Sequence, residues 1–498
     1  TLRFFLKIPS VVFWGLPFLF LLIFYFQPLF ANFRITWQSA SIDIFNATTW
    51  KIISKPLFFT IYQATLSTIL TILLGFPVAY LLANYRFFGK SIIHLLTTIP
   101  FIMPTVVVAA GFNALFGPRG WLNLLLQSIF SLDQSPINLL NTLGAILLAH
   151  VFYNTTVFIR IVGGAWSQLD RKLEFAARTL GASKWRVWLS VTLPLLKPAI
   201  MSAIVLIFLF NFTSFAVILL LGGPKYATIE VEIFTQALHL LNLPMAGLLS
   251  AIQLFFTLVL TILYSRLISK KTVQLSPRDP EEITKAINGW KQSILLFITF
   301  LILFFLYVLP LFSLILRSFL VSNSSVPSDF GGYRFTLLYF QELFLNRRDS
   351  LFYVPPVDAI SNSLYFGLVT VGIALFLGFL AAKVISSKAW WGKILEPIML
   401  LPLGTSAVTL GLGFILVFNK PPIDVRSFPL LVPIAHALVA MPFVVRIIQP
   451  ALSSIPQNIK FSAMVLGASP WRTFTQVELP ILFKAIISSA LFAFTISL

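Results

Sequence analysis

Apolar residues run through this chain in blocks of about twenty, separated by short polar stretches. The blocks read at 11–30, 57–83, 91–116, 140–164, 194–221 and 245–268. A longer polar stretch follows, and further blocks lie at 292–320, 359–384, 394–418, 428–448 and from Pro480 onward. About 20 apolar residues in a helix cross a hydrocarbon core of roughly 30 Å. A membrane barrel would instead alternate with a period of two. The pattern therefore predicts an all-α, polytopic membrane protein. The first block is too long for a signal-peptide core and has no small-residue cleavage site after it, so it reads as a span. Pro17 and Pro77 fall inside blocks and predict kinks that membrane helices tolerate.

The polar stretch after the fourth block occurs twice. Sliding the sequence by 286 positions lays 460–486 on 174–200, and 14 of those 27 positions are identical. They include Gly181/Gly467, Ala182/Ala468, Ser183/Ser469, Trp185/Trp471, Arg186/Arg472 and Pro194/Pro480. The same offset pairs His150 with His436 and Arg160 with Arg446. A fixed offset over so much of the chain marks an internal duplication. It predicts two parallel six-span halves: 1–271, a linker 272–291, and 292–498. Leu498 corresponds to Phe212, within the fifth span, so the second half reads as incomplete at its C-terminus.

Charge fixes the expected orientation. With the N-terminus inside, 22 of the 35 Lys and Arg fall in inner segments and 10 in outer ones. The positive-inside rule then places the N-terminus and both repeated loops in the cytoplasm. The net charge of +19 is accounted for by this asymmetry, with no call for nucleic acid. Charged residues make up only 10% and mean hydropathy is +0.93. There is no cysteine, hence no disulfide framework and no thiolate metal site.

His150, Asn154 one turn on, and His436 are the polar residues of the spans that stand out. Ionisable groups inside a membrane are functional candidates. Two readings stand: these residues line a substrate route, or they are helix–helix hydrogen bonds inherited by both halves. The stretch 84–91, NYRFFGKS, brushes against a phosphate-binding loop. It lacks the first glycine and joins two spans where such a loop joins a strand to a helix. No metal or nucleophile constellation is visible, so no catalytic residue is expected.

Ala176, Ala177 and Gly181, followed twelve positions on by Leu193 and Pro194, form an AAxxxG…LP pattern between two spans. The second copy carries Ala463, Gly467 and Pro480 at matching places. This resembles the EAA loop of permease subunits in binding-protein-dependent ABC importers. Two such loops in one chain resemble the fused permeases for ferric iron and thiamine. GWLNLLLQSIF, LLAHVFYN and LGGPKYATIEVEIFTQAL are similar to that subgroup in particular. The resemblance implies a type I importer permease fold. It also implies two ATP-binding subunits docked on the cytoplasmic loops, an extracytoplasmic substrate-binding protein, and lipid around the spans. ATP would be bound by the separate subunits, with no cofactor on this chain. The localisation implied is a bacterial plasma membrane. One departure is plain: the family glutamate lies six residues before the glycine, where this chain has Phe175 and Phe461, with Glu174 one position early and Lys460 as its counterpart.

Twelve spans in two parallel halves also describe ion-coupled secondary transporters. Those carriers need carboxylates near mid-membrane, and none is placed centrally in these spans. They also put their long polar loop at the middle of the chain.

Overall fold

The computed structural model describes residues 8–38, 46–223, 225–269, 284–287, 289–322, 333–345, 355–386, 390–420, 423–424 and 428–498. Most of the expected linker, 270–283 with 288, lies outside the described residues.

Among the described residues, nine helices are long and apolar enough to cross a membrane, or ten if one bent pair counts as a span. The third block of each half departs from the single span expected. In the first half it breaks into Lys90–Leu96, Ile99–Ile102 and Thr105–Phe116. Met103 is extended, with ψ 132°, immediately before Pro104. Proline offers no N–H and pushes the preceding residue out of the helical region, which explains the break. In the second half Trp390–Leu400 runs into a short 3-10 turn and then Ala407–Val417. The two arms meet at 99°. Here Ser406 starts the new helix, its hydroxyl accepting from the Val408 and Thr409 amides. Aligning Pro100 with Pro402 puts Pro104 on Ser406, so a proline and a serine cap perform the same break. The fifth block also differs: its helix begins earlier, at Lys184, ends at Phe212, and Ala216–Leu221 is a separate short helix.

Two compact units form, and they divide the chain differently from its repeat. One gathers the N-terminal helix, Gln236–Leu258 and Phe344–Leu498; the other gathers Asp43–Thr235 and Val259–Leu343. Each unit thus contains most of one half's bundle and the first span of the other half, and the first-named unit also takes part of the helix Leu243–Ser269. In the first-named unit, Gln27–Gln38 lies against Ala407–Val417. A Cβ on Gly413 would come within 2.5 Å of the Pro28 carbonyl oxygen. Asn32 Nδ2 donates to the Thr409 carbonyl at 2.8 Å, and the Tyr25 and Thr405 hydroxyls are 2.6 Å apart. In the other unit, Leu309–Ser318 lies against Thr105–Phe116. There a Cβ on Gly111 would lie 3.1 Å from the Pro310 carbonyl oxygen. Trp121 Nε1 donates to the Ser313 carbonyl at 3.1 Å. Both exchanges use the same device. A glycine lets a helix backbone approach the first turn after a π-turn, at Pro28 in one unit and Pro310 in the other. Lipid tails are as apolar as leucine, so helices in a membrane associate through such close backbone contact and interhelical hydrogen bonds.

Candidate functional site

Each repeated loop is built from local rules. Asp170 caps the helix Arg171–Thr179, its carboxylate accepting from the Lys172 amide. An Asp at that position satisfies one of the helix's orphan donors. The helix stops at Gly181, whose φ of +84° is open to glycine without a steric cost. Ala182 N–H donates back to Ala177 C=O at 3.1 Å and Gly181 N–H to Arg178 C=O at 2.9 Å. This nested pair of bonds satisfies the last carbonyls of the helix. Ser183 then caps the next helix by accepting from the Arg186 amide. That helix passes through a π-turn at Trp188–Thr192 and continues as Leu193–Phe212. Pro194, where the apolar block begins, therefore does not start a fresh helix. It follows a π-turn, where the bonding ladder shifts register and a missing N–H is absorbed.

The second loop repeats these steps except the first: its helix starts after Pro456, with no side-chain cap. Gln457–Val465 ends at Gly467 with φ +82°, Ala468 N–H returns to Ala463 C=O at 3.0 Å, and Ser469 accepts from the Arg472 amide. A π-turn at Phe474–Glu478 precedes Leu479–Ser497 and its Pro480. Glu174 accepts a hydrogen bond from the Thr192 hydroxyl at 2.8 Å. At the matching positions Lys460 Nζ lies 3.0 Å from Glu478 Oε1.

Both loops also display large apolar side chains to the outside. Leu180 and Leu466 are 88% and 86% exposed, Trp185 and Trp471 are 68% and 72%, and Phe175 and Phe461 are exposed too. Sequence reasoning took the two phenylalanines only as a departure from a pattern and passed over the leucines. The signal was available: all three are identical in the two copies while lying on polar loops. Ala176 is exposed, Ala177 and Ala463 half-buried, and Pro194 and Pro480 exposed.

The first loop has an additional attachment. Residues Lys285–Ala286 pair in parallel with Tyr85–Arg86, and the Lys285 ammonium lies 6.0 Å from the Phe175 ring centre. A cavity of about 200 Å³ opens there, lined by Tyr80, Asn84, Trp166, Glu174, Arg178 and Lys285 among others.

His150 is buried. Its Nδ1 lies 3.0 Å from the Ser67 hydroxyl and its Nε2 2.8 Å from the Ser214 hydroxyl. Asn154 Nδ2 donates to Asn211 Oδ1 at 2.7 Å, and Gln63 Nε2 donates to the Asn211 carbonyl at 2.8 Å. These bonds tie Leu143–Phe158 to Ala47–Asn84 and Leu193–Phe212 within one bundle. His436 is half-buried, with Nδ1 2.9 Å from the Ser497 hydroxyl, which in turn is 3.0 Å from Thr370. Interhelical side-chain bonds in membranes contribute about 0.6 kcal/mol each and at most about 1.7. His150→Phe, which loses two, should lower stability by about 1–3 kcal/mol. His436→Phe should cost less. Fluorescence melting of the two variants in detergent checks the order.

The fold and the paired loops define a class: a multi-pass helical membrane protein with two copies of one loop module. The family model for the binding-protein-dependent transport system inner membrane component matches residues 72–273 and 374–498, and the chain belongs to that family. It is a permease of the ABC importer family. It is similar to the thiamine transport system permease protein ThiP of Escherichia coli, with 26% identity over 480 residues, covering 94% of this chain and 83% of that one. The putative ferric transport system permease protein FbpB 1 of Haemophilus influenzae is 23% identical over 448 residues, covering 89% and 68%. The ThiP of Brucella abortus is 26% identical over 468 residues, covering 91% and 78%.

Proposed function

We propose that this chain forms the membrane path of an ATP-driven importer for thiamine or ferric iron, and that its two loops are the contacts through which separate ATPases drive it. The exposed Phe, Leu and Trp, identical in both loops, carry this reading. Apolar groups of that size on a polar loop mark a surface that another protein covers. Two such loops support two ATP-binding subunits, one on each. ATP is bound by those subunits, and this chain contributes no catalytic residue of its own. An extracytoplasmic binding protein delivers the substrate, in keeping with the family. The names of the similar permeases supply the two candidate substrates. His436, bonded through one nitrogen and only half-buried, is better placed than His150 to meet a passing solute.

The test is reconstitution with its ATPase and binding protein from the same organism, with labelled thiamine and labelled ferric iron offered in turn. ATP-dependent uptake of one of them is expected. Failure of this chain to retain an ATPase subunit on purification would sink the reading.

The charge asymmetry supports a cytoplasmic N-terminus, which single cysteines can check because the chain has none. Thr179→Cys, on the first loop, should react with an impermeant thiol reagent only from the cytoplasmic side. Ser128→Cys should react only from outside. The opposite pattern would invert the topology.

A further inference from the structure

The two loops are tied to their spans at the same positions by different chemistry. Shifting Glu174 and Thr192 by 286 gives Lys460 and Glu478. All four residues differ between the copies, yet both pairs touch, at 2.8 Å and 3.0 Å. The carboxylate has moved from the loop helix to the span, and its old position has become an ammonium. Either change alone would weaken the contact: Glu174 against a glutamate would repel, and Lys460 against a threonine would lose its counter-charge. The contact has survived a joint change of both partners, as expected if the contact itself is what matters.

Its location says what it does. Each loop helix hangs from its span by a glycine in the left-handed region, with nothing within 4 Å of where a Cβ would stand. Across that joint each nine-residue helix is held by two backbone hydrogen bonds close to the pivot. The tie lies seven residues back from that joint, a lever of roughly 10 Å at 1.5 Å per residue. On the span side each tie lands on the last residue of a π-turn, Thr192 in one loop and Glu478 in the other. Two attachments fix an angle where one does not.

We propose that Glu174–Thr192 and Lys460–Glu478 are struts: positioning pairs that lock each loop helix to the widened turn of the following span. A push on the loop helix then tilts the span, and is not absorbed at Gly181 or Gly467. This rests on the reading that the loops receive the ATPases. Glu478 and Lys460 are only 13% and 20% exposed, so water screens their attraction incompletely. The Lys383 ammonium sits 5.2 Å from the ring centre of Phe474, in the same π-turn, and adds a second cation beside this strut.

The experiment measures substrate moved per ATP hydrolysed in proteoliposomes holding the complete transporter. Lys460→Met should keep ATP hydrolysis and lose roughly five- to tenfold in substrate moved per ATP. The swap Lys460→Glu with Glu478→Lys should restore it. So should the graft Lys460→Glu with Glu478→Thr, which writes the first loop's pair into the second. Normal coupling in Lys460→Met, or swap and graft as defective as the single variant, overturns the strut. Co-purification separates the two ideas. If the wild-type chain retains no ATPase, the docking reading fails and the strut with it. If the ATPases are retained and coupling is unchanged, only the strut fails. A nitroxide at Met464→Cys provides a readout on the chain alone: its mobility should rise in Lys460→Met and fall back in the graft, and unchanged mobility in Lys460→Met also overturns the proposal.

Discussion

Replacing Gly181 and Gly467 together by valine is expected to abolish uptake while the protein still inserts into the membrane. Both residues sit at φ above +80°, where a β-branched side chain is strongly disfavoured. Nothing crowds either site, so the penalty is in the backbone alone. Holding a non-glycine residue there costs about 1–3 kcal/mol per site. The chain escapes the cost by abandoning the left-handed turn. The bonds from Ala182 to Ala177 and from Ala468 to Ala463 go with it, and each loop helix loses its aim. The spans that follow, Lys184–Phe212 and Pro470–Ser497, keep their own helical bonds and still insert. Asparagine tolerates the left-handed region better than other non-glycine residues. The Gly181→Asn, Gly467→Asn double variant should therefore keep most activity. Uptake measured beside the yield of membrane-inserted protein decides the matter, and full uptake in the valine variant would show that the turn has no part in coupling.

The second large effect is expected at Gly413. A methyl there would press on the Pro28 carbonyl oxygen at 2.5 Å and on its carbon at 2.8 Å. Those are backbone atoms that no side-chain rotation can clear, so Gln27–Gln38 must shift off Ala407–Val417. Overpacking of this kind costs about 1–3 kcal/mol. Displacement would also strip the Asn32 amide of its bond to Thr409. Gly413→Ala should lower the melting temperature markedly. Gly111→Ala, with 3.1 Å to Pro310, should lower it less. Gly411→Ala, two residues away with nothing within 4 Å, should be neutral or slightly stabilising. Equal melting temperatures for the variants at 413 and 411 would show that the helix contact is not tight.

The contrast between these glycines shows what the sequence reveals and what it conceals. Spans are legible because a bilayer demands long apolar stretches, and the loops because Gly181 and Gly467 stand in a duplicated polar frame. The break of the third span is hidden, because hydropathy over 91–116 averages across Met103 and Pro104 without registering the lost ladder. The exchange of first spans is hidden for a related reason. Partner choice between apolar helices rests on single sites such as Gly413 and Asn32, and a window of twenty residues dilutes them. The struts were visible in principle. Laying 174 and 192 on 460 and 478 shows a carboxylate changing sides, but only the distances show that the two positions meet.

The exchange also bears on how the chain is made. Asn32 and Thr409 are 377 residues apart. Ribosomes extend chains at about 5–20 residues per second, so roughly 20 to 75 seconds separate the synthesis of the two partners. Through that interval the N-terminal helix must wait in the bilayer with its amide unmet by Thr409. Helix Ala407–Val417, on arrival, closes onto a helix made some 377 residues earlier and ties its bundle to it. Assembly of that unit is thus a late event that translation cannot complete step by step.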